Sequence, residues 1–136
     1  MADSKIDKSI QQLIKMFGDS IHLKKLWSNA SPTSTFVRHS VEVDLSGYDH
    51  YAVKGMLSTK AAHYDIFVAP YKGAGLINFG YGAGAGGVAT YYRTFTATDT
   101  QVTFGSGNFA HGASDAVNDI AAIPVEIYGF NISGGQ

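Results

Sequence analysis

Cysteine is absent from this chain, so disulfides and thiolate metal sites are excluded. Charge is scarce as well: Asp, Glu, Lys and Arg make up 15% of the residues, against about 25% in ordinary soluble domains. Acidic and basic residues nearly cancel, at 11 and 10, which leaves no field of one sign to draw the chain to nucleic acid or to an anionic membrane. No apolar run approaches the ~18 residues of a membrane span. The first residues, Met1–Lys5, lead into an amphipathic pattern and not into the continuous apolar core of a signal peptide. A thiol-free chain of this kind fits a reducing cytosol or a particle assembled there. Its sparsely charged surface is expected to be covered by other subunits.

At 136 residues the chain has the length of one domain and can bury a core without covalent staples. Ile6, Ile10, Leu13, Ile14 and Phe17 fall on one face of an α-helix, because steps of three and four residues return to the same side. Asp3 or Ser4 supplies a side-chain acceptor for the first turn, and Gly18 supplies the stop. The spacing predicts a helix over 4–17, within an N-terminal segment 1–20 that serves docking or oligomerisation. A helix of about 14 residues is marginal alone. The stripe of Ile6, Ile10, Leu13 and Phe17 therefore has two uses open to it: packing on its own domain, or joining copies in a short bundle.

From Leu23 the apolar period shortens to two, and turn signals recur at Asn29–Pro32, Ser46–Gly47, Thr59–Lys60, Lys72–Gly73 and Asp99–Thr100. Strands are expected near 22–28, 35–44, 49–58, 63–70, 76–80, 88–97, 100–105 and 122–132. Residues 21–136 thus have the rhythm of an antiparallel, jelly-roll-like β-sandwich. Val41, Val43 and Leu45 alternate with Ser40, Glu42 and Asp44, so one face of that strand is wet. In the last strand Ile123, Val125 and Ile127 alternate with Pro124, Glu126, Tyr128 and Phe130, and Pro124 marks an edge or a strand start. The side bearing Tyr128 and Phe130 is apolar too and is expected to meet a neighbouring copy. The glycine- and alanine-rich segment Gly73–Gly87 reads as a long mobile loop or the tip of an extended hairpin.

Gly82-x-Gly84-x-x-Gly87 matches the dinucleotide fingerprint in letters, but these glycines run into the strand pattern Val88–Tyr92 where the chemistry needs a helix N-terminus. The five histidines show no metal-ligand spacing, and neither a metal nor another cofactor is expected. No nucleophile elbow surrounds any serine. A glycan-processing enzyme would need two carboxylates about 5–10 Å apart. Most of Asp44, Asp49, Asp65, Asp115, Asp119 and Glu126 sit at turns, where Asp caps backbone groups. Non-enzymatic recognition fits better, and the aromatics supply it. Tyr71, Tyr81, Phe109 and His111 flank glycine-rich, turn-like segments, with Asn108 and Asp115 adding hydrogen-bonding groups beside them. Flat rings with a polar rim stack on sugars or partner side chains at small entropic cost.

Five segments, in this order, resemble a small β-domain of tailed-phage virion proteins. They are Lys25-Leu26-Trp27-Ser28-Asn29-Ala30-Ser31-Pro32-Thr33-Ser34-Thr35-Phe36; Leu45-Ser46-Gly47-Tyr48-Asp49; Tyr92-Arg93-Thr94-Phe95-Thr96 with Val102-Thr103-Phe104-Gly105; and Ile123-Pro124-Val125-Glu126-Ile127-Tyr128-Gly129. That domain recurs in tail-fibre, baseplate and head-fibre components, and the resemblance spans residues 24–130 without including a catalytic motif. It implies a virion component assembled in the bacterial cytoplasm: a homotrimer that contacts other virion proteins and presents its sandwich to a host-surface glycan, with no nucleic acid and no inserted membrane as partner. The alternative it leaves open is a head-fibre or capsid-decorating protein whose partner is the capsid. The resemblance carries no ligand-binding residues onto this chain.

Overall fold

The computed structural model describes residues 9–12, 22–60, 65–70, 73–82, 87–112 and 114–132. Ser9–Gln12 form a helical turn, and all four of its residues are exposed. The rest of the expected helix, with Ile6, Leu13 and Phe17, lies outside the described residues.

The domain is mainly β, and every strand pairing is antiparallel. One sheet runs in the order β1 (Lys24–Ser28), β10 (Ala121–Phe130), β3 (His50–Ser58) and β4 (Asp65–Val68). The second is built on β6 (Val88–Ala97). One edge of β6 carries β5 (Ala74–Gly82) along nine residue pairs in unbroken register. Its other edge is shared end to end by β7 (Gln101–Phe104) and β8 (Asn108–His111), and these in turn pair with β2 (His39–Glu42) and β9 (Ser114–Val117).

Alternation decides which side chains go inside, since successive residues of a strand point to opposite faces. Val53, Met56, Ile123 and Ile127 of the first sheet meet Ile77, Phe95, Val102 and Phe104 of the second in one buried cluster. Trp27 and Phe36 close one end, with ring centroids 6.3 Å apart and nearly perpendicular. A bulge between Pro124 and Glu126 puts one extra residue into β10, so Ile123 pairs with Met56 and Ile127 with Val53, and Val125 between them packs against the same cluster. The sheets approach closely at Gly55: a Cβ there would lie 2.7 Å from Ile77 Cγ2.

Arg93 is wholly buried on the inward face of β6. Its Nε donates to the Ala122 carbonyl at 2.9 Å, its Nη2 to that of Ala121 at 3.0 Å, and its Nη1 to that of Gly105 at 2.7 Å. The guanidinium also lies over the Phe36 ring, 5.2 Å from its centroid. Burial pushes its pKa down to about 10, opposed by the charge of Asp119, so it remains protonated at neutral pH. The start of β10 is bent to meet it. Ala122 has φ 50°, a left-handed conformation that L-residues other than Gly, Asn and Asp seldom adopt.

Ten strands form among the described residues where eight were expected. The additional pair is β8–β9, joined through Gly112 at φ 60°. Of the two expectations for Gly73–Gly87 the extended hairpin is the one observed, because residues 74–82 form the strand β5 and pair with β6. Glycines at alternate positions of a strand cost entropy but permit a neighbour close above the sheet; Gly75, whose Cβ would collide with the Phe95 ring, is such a site. Phe130 is buried at 8% exposure and stacks on His50 at 5.2 Å, so its apolar surface is used within the chain.

Candidate functional site

The strands β5, β6, β8 and β9 continue past Arg93 as a wing of the second sheet. Register fixes what each face carries. Phe79 pairs with Tyr91, and Tyr91 with Phe109, placing three rings side by side across β5, β6 and β8. Tyr91 and Phe109 are half-buried with centroids 4.9 Å apart, and the exposed His111 ring follows Phe109 at 6.4 Å in a nearly parallel plane. All four share the parity of Arg93, so the row extends the core-facing surface of the sheet outward.

The opposite face of the wing is polar. The Tyr92 hydroxyl donates to the Asp115 carboxylate, 2.7 and 2.9 Å from its two oxygens, reaching across β8. This hydrogen bond holds the Tyr92 phenol above its ordinary pKa. Asn108 pairs with Tyr92 in the ladder, and its side-chain amide donates to the Ser106 carbonyl at 2.9 Å. Farther along the same face, Ser40 and Thr103 hydroxyls share a hydrogen bond of 2.7 Å. The exposed apolar side chains Leu76, Val88 and Val117 interrupt the surface.

The sequence-selected residues are therefore divided. Phe109 and His111 lie together on one face, and Asn108 and Asp115 lie together on the other. Tyr71 falls outside the described residues. Tyr81 pairs with Ala89 in β5, and its backbone is all that is described. Tyr91 and Tyr92 complete the two groups. The signal that assigns faces is parity: residues 108 and 109 must point oppositely once both belong to one strand.

A second concavity opens where β3 begins and β6 ends. It is a cavity of about 230 Å³ whose lining includes Tyr48, Asp49, His50, Tyr51, Pro70 and Asp99. Tyr51 is buried, its hydroxyl has no hydrogen-bond partner among the described residues, and burial pushes its pKa up to about 12. The described lining residues include two carboxylates, Asp49 and Asp99, which favour hydroxyl-rich or cationic groups. Among the described residues no cluster of three or more His, Asp or Glu side chains could hold a metal ion.

No family model, no curated protein and no solved structure matches this chain.

Proposed function

We propose that this chain is a non-enzymatic virion protein of a bacterial virus, which holds a jelly-roll-like sandwich against a host-surface glycan and associates with copies of itself. The ring row of Phe79, Tyr91, Phe109 and His111 carries the reading. Rings standing on three hydrogen-bonded strands are held in place before a ligand arrives, so little freedom is lost on binding. A row of rings ending in an exposed His offers faces for stacking and, at His111, ring nitrogens for sugar hydroxyls. Support for the jelly-roll wrapping comes from the pairing of early strands with late ones, β1 beside β10 in one sheet and β2 beside β7 in the other.

The reading is tested by titrating the full chain with fragments of bacterial surface polysaccharide while following amide chemical shifts. Binding is expected, and Tyr91→Ala or Phe109→Ala should weaken it about tenfold, roughly the 1.4 kcal/mol that a stacked ring contributes. Asp99→Asn, in the cavity at the other end, serves as the comparison. Affinity unchanged in both ring variants, with their fold intact, would assign recognition elsewhere. Shortening of the polysaccharide during the titration would overturn the non-enzymatic part.

A further inference from the structure

We infer that β5 is a docking edge for the β5 of a second copy, forming a continuous sheet across a twofold axis. Exposed strand edges carry unpaired backbone donors and acceptors, and folded chains blunt them by shortness, charge, proline or bulges. The other four edge strands among the described residues follow that rule. β1 has five residues and includes Lys24 and Lys25; β2, β4 and β9 have four residues each and include Glu42, Asp65 and Asp115 respectively. β5 does not follow it. Its nine residues, AGLINFGYG, include no charge and no proline, its register with β6 has no bulge, and no described strand pairs with its other edge.

The side chains favour one partner and one register. Antiparallel pairing of two β5 strands about Asn78 sets Leu76 opposite Gly80 of the second copy and Ala74 opposite Gly82. On the inward face it sets Ile77 opposite Phe79. Leu76 is 41% exposed and Asn78 and Gly80 are also exposed, so a large apolar side chain would lie over the open position of a glycine at both ends of the contact. Such a contact is isologous and closes at two subunits. It does not depend on glycan binding, and it replaces with a twofold the threefold association that the resemblance implies.

Because residue 78 meets its own copy on the axis, charge can test the register. Sedimentation equilibrium of the full chain is expected to show a dimer at micromolar concentration. Asn78→Lys and Asn78→Asp, each placing like charges face to face, should each raise the dissociation constant at least tenfold, with far-UV circular dichroism unchanged because Asn78 is exposed. Mixing the two variants should restore the dimer. A monomeric parent chain, a trimer indifferent to both variants, or a mixture that stays monomeric would each overturn the proposal. Amide hydrogen exchange of the unaltered chain gives a reading without substitutions: protection in Leu76–Gly80 should rise with protein concentration while β1 and β9 do not change. Protection in β5 independent of concentration would also overturn it.

Discussion

Arg93 shows how one residue ties the layers of this domain. It stands on β6, yet its donors end on carbonyls at 105, 121 and 122, which belong to the β7–β8 junction and the start of β10. Arg93→Met would leave those carbonyls buried without donors and is expected to cost about 3–5 kcal/mol in urea unfolding. Arg93→Lys should recover less than half of that, since a single ammonium cannot reproduce the planar fork. A destabilisation below about 1 kcal/mol for the Met variant would show the carbonyls to be satisfied by other means. Ala122 tests the same junction from the other side. Release of its left-handed backbone by Gly gains about 1–2 kcal/mol. Loss of the buried methyl removes about 0.8, and added freedom of the unfolded chain removes about 0.4–1 more. Ala122→Gly is therefore expected within about 1 kcal/mol of the parent, whereas Ala122→Val, adding a branched side chain where none fits, should cost about 3. Composition gave no warning of a buried cation, because a lone Arg in the run Tyr91–Thr96 reads as a solvated strand position until the fold brings the carbonyls to it.

At the scale of strands, most of the chain was legible because Val, Ile, Thr and aromatic residues alternate across β3, β6 and β10. The β8–β9 hairpin was not, since Asn108-Phe109-Ala110-His111 and Ser114-Asp115-Ala116-Val117 are nearly devoid of branched residues. Cross-strand partners hold it together, and pairing is a tertiary fact that a single segment does not announce. That hairpin is also what divides the candidate residues into two groups instead of one. The outward face of the first sheet adds a charged element that alternation alone did not reveal. Lys25 donates to the Glu126 carboxylate at 2.9 Å, while Lys54 lies 3.6 Å from Glu126 and 3.6 Å from Asp65. The hydrogen bond from Lys25 is the main cause holding the Glu126 carboxyl below its ordinary value of 4.5. A depressed carboxyl contributes stability that is present above the unfolded value and disappears as pH falls through the folded one. Glu126→Gln should therefore be less stable than the parent at pH 7, with the gap closing below pH 4.5. Urea midpoints at neutral and acid pH measure it. A gap that stays constant would mean that the carboxylate contributes nothing through its charge.

For the whole molecule, closure depends on partners far apart in sequence: β1 at Lys24 pairs with β10 at Gly129, and β10 then pairs with β3. The first sheet is not complete until residues near 130 have joined strands begun near 24, so folding should be slow for a chain of this size. The N-terminal segment stands differently. One helical turn covers the full circumference of a helix, and Ser9, Ile10, Gln11 and Gln12 are all exposed, Ile10 at 50%. Ile10, half open to solvent, is a stripe residue left for the second of the two uses, a contact with other molecules. Removal of residues 1–21 is then expected to leave the β-domain intact, with its thermal midpoint within about 4 °C of the full chain, a shift of no more than roughly 1 kcal/mol. The same truncation should leave the β5-mediated dimer in place, since β5 lies on the far side of β6 from β7 and β8 and its described ladder partners are all in β6. A truncated chain that unfolds, or that folds with a midpoint ten or more degrees lower (~2–3 kcal/mol), would mean that the apolar stripe of Ile6, Leu13 and Phe17 belongs to the domain core.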